Sequence, residues 1–109
     1  MLLEKSLVGQ VVAIKLMNAE EIIGRLVAHE GDTYTIKHPV VLTLVPTGPG
    51  QSAVTFTPFS MGIDEDQAFE INLARMLFKP VPAREDAEKQ YVKVTSGIEL
   101  VTNPSSLIV

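Results

Sequence analysis

Hydrophobic and polar residues alternate through the first two thirds of the chain, and this period of two predicts strands. Val12, Ile14 and Leu16 fall on one parity while Ala13 and Lys15 fall on the other, which gives a first strand from Val11. Asn18, Ala19 and Glu20 supply a turn. Ile22, Gly24, Leu26 and Ala28 then alternate with Ile23, Arg25, Val27 and His29. A glycine inside a strand has no side chain to pack, so Gly24 predicts a sharp bend or the close approach of another backbone. After the turn residues Glu30, Gly31 and Asp32, the residues Tyr34, Ile36, His38, Val40, Leu42 and Leu44 share one parity. A long third strand that keeps its phase through Pro39 is therefore expected. Proline has no N–H for a ladder, so Pro39 marks an edge or a bulge.

The run Pro46–Ser52 is rich in turn residues and predicts a hairpin loop. Val54 and Phe56 resume the alternation, but Phe59 and Met61 stand on the opposite parity, which predicts a bulge at Thr57 and Pro58. Asp64, Glu65 and Asp66 read as a solvated acidic loop. Strand character returns at Phe69, Ile71 and Leu73, pauses at Ala74 and Arg75, and resumes at Met76, Leu77 and Phe78 until Pro80 and Pro82 stop it. The pattern predicts two short strands joined by a tight corner.

Both ends of the chain read as helical. Leu2, Leu3 and Leu7, with Gly9 as a C-terminal cap, predict an N-terminal helix of about two turns, too short to stand alone. Beyond Pro82, Ala87, Tyr91 and Val94 recur at i, i+4 and i+7. Glu85 and Lys89 form a favourable i, i+4 pair, and Gly97 is placed as a cap. The tail from Ile98 to Val109 is expected either to add a strand or to fray. The organisation expected is one β domain over residues 1–82, with residues 83–109 forming a C-terminal helix and tail packed on it or extending it. No internal repeat is present.

Composition narrows the function classes. With 109 residues, 46% of them hydrophobic, the chain builds only a modest core and favours self-association. A mean hydropathy of +0.23 points the same way. The net charge is −4, so a broad basic face for nucleic acid is not expected, although a small local basic site is compatible with it. Without cysteine there is neither a disulfide framework nor a Cys-based zinc site. The sequence shows no basic n-region followed by an apolar run and no stretch of about 18 apolar residues, so no signal peptide, no membrane partner and a cytoplasmic setting are expected.

His29, Glu30, Asp32 and His38 cluster in sequence. Across a hairpin they point in different directions, so no metal and no other cofactor is expected. No nucleophile is paired with a base, no glycine-rich phosphate loop occurs, and no carboxylate pair sits on recognisable supports. An enzyme is not expected.

Val12, Ile14 and Leu16, then Gly24 and Leu26, then Asp32, Tyr34 and Ile36 resemble the first motif of the Sm-like family. The stretch from Ile71 to Val81, with Leu73, Ala74, Arg75 and Met76 before Leu77 and Phe78, resembles the second. The runs Glu20–Gly24, Pro39–Leu42 and Thr95–Ile98 are similar to runs in small Sm-like proteins of tailed phages. The resemblance covers nearly the whole chain. It implies a small, strongly bent, five-stranded antiparallel barrel of SH3-like type. It also implies a homo-oligomeric ring, in which Met76–Val81 of one copy pairs with the fourth strand of the next, removing an exposed edge.

The resemblance further implies that short single-stranded RNA binds at the pore. Tyr34, His38 and Arg75 are the contact residues carried over, with Asp32 orienting the loop. The residues alone also admit another reading, in which Tyr34 is inner-face core, Arg75 pairs with an acid, and His38 is a half-buried strand histidine before a proline. The chain departs from the family pattern at the first turn, where Ala19 and Glu20 stand in place of a glycine, in the longer spacing from Leu26 to Asp32, and at two further positions. Ile36 stands where the family has the asparagine that reads a base edge, and Met76 stands where a glycine follows the basic residue. A homo-oligomeric structural or protein-interaction module that has lost RNA binding is the alternative.

Overall fold

The computed structural model describes residues 6–64 and 66–102, with side chains described as far as residue 96. The chain is mainly β. Its strands are β1 (Val11–Lys15), β2 (Glu21–Glu30), β3 (Thr33–Gly48), β4 (Gln51–Pro58), β5 (Ala68–Asn72) and β6 (Val81–Pro82), followed by one helix, α1 (Glu85–Thr102). They form a single antiparallel sheet in the order β4-β3-β2-β1-β6, with β5 also paired to β3. Both β4 and β5 pair with β3, in line, because residues 59–67 loop out between Pro58, opposite Val40, and Ala68, opposite Lys37. The sheet has six strands where the resemblance implied five, the runs at Val54 and Phe69 forming separate strands as their alternation predicts.

The bend is built where two strands cross. A side chain at Gly24 would collide with the Ile36 side chain and stand 3.4 Å from the Pro39 Cα, so the space beside Gly24 is already filled by Ile36. Opposite Gly24, the pairing steps from Ile23↔Val40 to Arg25↔Lys37, leaving His38 and Pro39 as a bulge on β3. His38 takes a φ of +52°. A second bulge lies at Val27 on β2.

The bulge reverses the faces of β3, so the strand does not keep its phase. Before it, Tyr34 and Ile36 join Val12, Ile14, Ile22, Leu26 and Met76 in one buried cluster. After it, Val40 packs on the other face with Val11, Ile23 and Tyr91. Each fully buried aliphatic side chain here contributes about 1.5–3 kcal/mol relative to exposure.

The sheet is open rather than a closed barrel. Its path ends at β4 on one side and β6 on the other, and among the described residues no ladder joins them. The expected continuous strand over Met76–Val81 is broken as well. Met76 makes an isolated bridge to Leu16, residues 77–80 belong to no strand, and pairing resumes only at Val81. The physical reason is proline. Leu77 and Ala83 donate inward to Lys15 and Val11, at 2.9 and 3.0 Å. By alternation Pro82 faces outward with no N–H to offer a further strand, and Pro80 interrupts the run.

The N-terminal helix expected over residues 2–9 lies in its first part outside the described residues, and Leu7–Gln10 form a turn closed by Gln10 N–H donating to the Leu7 carbonyl at 2.9 Å. The helix α1 runs through Gly97, which is not its cap. The last residues of the expected tail, 103–109, lie outside the described residues. No described helix is long and apolar enough to cross a membrane.

Candidate functional site

The residues singled out in sequence fall in two places. Asp32 sits exposed in the turn between β2 and β3, and its carbonyl accepts from Leu73 N–H at 2.7 Å. This bond ties the turn to a 3-10 corner, Leu73–Arg75, that follows β5. The corner is shaped by Asn72, whose Oδ1 accepts from Ala74 N–H at 2.8 Å, and it closes with Met76 N–H donating to Leu73 at 3.0 Å. The Arg75 side chain is exposed, and its carbonyl accepts from Met17 N–H at 2.8 Å. The turn carrying Asp32 and the corner carrying Arg75 are therefore held together.

Tyr34 is placed differently from what base stacking requires. It is 5% exposed and belongs to the first core cluster. The ring of His29 lies on it, with centroids 4.1 Å apart and planes at 15°. His29 is itself held by a hydrogen bond between Nε2 and the Gly31 carbonyl at 2.8 Å. The solvent-facing ring of this stack is that of His29.

His38 is separated from the corner by the length of the first half of β3. It lines a cavity of about 580 Å³ between α1 and the 59–67 excursion. Phe59 and Phe69 meet there edge to face, with centroids 5.4 Å apart, and Met61, Ile63 and Val94 extend the apolar wall. Asp64 and Asp66 bring carboxylates to the lining, and the His38 Nε2 lies 3.8 Å from an Asp66 carboxylate oxygen. The parity break at Phe59 and Met61 does not mark the expected bulge at Thr57 and Pro58, where the β4 ladder runs in regular register; it marks the end of β4 at Pro58, beyond which the chain leaves the sheet.

Tyr91 is the residue whose role the sequence concealed. It is 1% exposed, and its hydroxyl donates to the Lys37 and His38 carbonyls at 3.1 and 2.9 Å. Both acceptors lie at the bulge, where a displaced backbone has lost ladder partners. Burial pushes the phenol up to about 12, against the opposing effect of the nearby Arg25 guanidinium. Among the described residues, no three His, Asp or Glu side chains come together as a metal site.

A scan against protein-family models found none that matches this chain, and a search of curated proteins found no match.

Proposed function

We propose that the protein is a self-assembling module whose copies join through free sheet edges into a closed homo-oligomer, and that it works by binding rather than by catalysis. The observation that carries this reading is the open sheet. Strands β4 and β6 each have a neighbour on one side only, and apolar side chains are exposed along both flanks: Leu44 and Val54 near one, Leu77, Phe78 and Val81 near the other. Unpaired backbone with apolar flanks is a template for another chain, and proteins that stay monomeric blunt such edges with charge. Brief amine-directed cross-linking in dilute solution tests the reading. Discrete products at multiples of 11.9 kDa support it, and uncross-linked chain at all concentrations counts against it.

A second reading is favoured by the 2.7 Å bond from Leu73 to Asp32, which gathers the turn and the basic corner on one side of the sheet. In it, single-stranded RNA binds at that corner, Arg75 contacts phosphate or base, and stacking falls to the exposed ring of His29 rather than to buried Tyr34. Fluorescence anisotropy with oligouridine and oligoadenine separates the two readings. Binding that weakens with salt and with Arg75→Ala supports the second, and no binding at low salt leaves self-assembly alone.

A further inference from the structure

Between Lys37 and Asp64 the chain carries no Asp, Glu, Lys or Arg, although 20% of its residues are charged. This charge-free stretch contains the hairpin of β3 and β4, which runs on beyond the end of β2: β2 pairs with β3 no further than Val41. From Thr43 to Thr55 the hairpin is almost wholly exposed. One of its faces bears Leu42, Leu44, Val54 and Phe56, and is continuous with the cluster beneath α1. The other is tied by threonines, with Thr55 Oγ1 donating to the Thr43 carbonyl at 3.3 Å. An isolated two-stranded ribbon is marginal in water, so this arm gains from a partner that extends it.

The outer edge of β4 is suited to a partner of its own kind. Phe59 N–H donates back to Pro39 at 3.4 Å, so by the antiparallel alternation the odd-numbered residues of β4 point their amides at β3. Ser52, Val54 and Phe56 therefore direct N–H and C=O outward. Pro58, next in that series, has no N–H, and Gly50 on the other side already belongs to the hairpin turn. An antiparallel second copy centred on Val54 sets Ser52 against the partner's Phe56 and Val54 against the partner's Val54. That register satisfies every outward amide on both strands and ends where Pro58 meets the turn. The opposite flank of the sheet offers no equal match, because Pro82 faces outward there and residues 77–80 belong to no strand.

We propose that β4 pairs with β4 of a second copy about a two-fold axis at Val54, so that the unit of assembly is an isologous dimer with one sheet running through both chains. The absence of charge fits this partner. Two copies of an acidic chain meet with least repulsion where neither carries charge. This inference rests on the self-assembly reading and adds its contact and symmetry.

The test exploits the lack of cysteine. In Val54→Cys, directly opposed residues of an antiparallel pair stand about 5.5 Å apart between Cα atoms, within disulfide reach. Mild oxidation is expected to convert most of the chain to a covalent dimer, while Leu77→Cys, exposed on the last segment, stays largely uncross-linked. Val54→Pro removes an outward amide while no ladder bond to β3 depends on that amide, and is expected to reduce the mass to the monomer with the circular dichroism spectrum retained. As a check independent of that fold, Val54→Lys and Val54→Glu are each expected to be monomeric and to associate when mixed, which head-to-tail pairing does not predict. Equal cross-linking of Leu77→Cys, or no association on mixing, overturns the two-fold contact. An assembled parent chain whose mass survives Val54→Pro overturns this inference alone, whereas a monomeric parent chain overturns the self-assembly reading with it.

Discussion

The hydroxyl of Tyr91 donates to the backbone carbonyl of His38 at 2.9 Å, and so fixes α1 to the point where β3 changes face. His38 has a left-handed φ of +52°, an arrangement that costs a non-glycine residue about 1–2 kcal/mol and needs support from its surroundings. The bulge exposes the carbonyls of Lys37 and His38, and one phenol satisfies both. Helix docking and strand reversal are thus one structural feature.

Tyr91→Phe keeps the ring and removes the donor. It is expected to destabilise the fold by about 1–3 kcal/mol, since two carbonyls at a buried site lose their partner. Urea unfolding checks this: the midpoint falls while the slope with denaturant is unchanged. A wild-type midpoint would mean that water serves these carbonyls equally well.

The same hydroxyl gives a dependence on pH. Folding raises the phenol from its ordinary 10 to about 12, because burial disfavours the phenolate. Between those values the unfolded chain releases the proton and the folded chain keeps it, so this group's contribution is complete below pH 10 and is lost as pH rises towards 12. Thermal unfolding from pH 8 to 12 is expected to show a stability loss that is smaller in Tyr91→Phe, where the raised phenol is absent.

Gly24→Ala tests the crossing of β2 and β3. Its Cβ would strike Ile36, with the Pro39 Cα at 3.4 Å and the Lys37 carbonyl oxygen at 3.5 Å leaving little room to shift. Overpacking of this kind costs about 1–3 kcal/mol. The companion change Ile36→Val is expected to recover part of that loss in Gly24→Ala, and an equilibrium double-mutant cycle measures the recovery.

Much of the fold was legible in the alternation. The core positions of β1 and β2, the bend at Gly24 and the helical face of Ala87 and Tyr91 follow directly from period and residue type. The face reversal at His38 did not, because the left-handed residue there is not glycine and the parity of Tyr34, Ile36, Val40 and Leu42 reads unbroken across it. Gly97 resembled a cap, yet the helix continues past it. Of the candidate site, the core placement of Tyr34 was legible in the parity it shares with Ile36. The tie between the Asp32 turn and the Arg75 corner was not, because it is a backbone hydrogen bond between segments far apart in sequence, and neither was the ring of His29 lying over Tyr34.

The central claim is self-assembly, and the mass of the intact chain in solution, measured by multi-angle light scattering over a range of concentrations, tests it most directly. The account predicts a mass that is an integral multiple of 11.9 kDa, even in number of chains if β4 pairs about a two-fold axis, and held on dilution. A mass of 11.9 kDa at every concentration would contradict it.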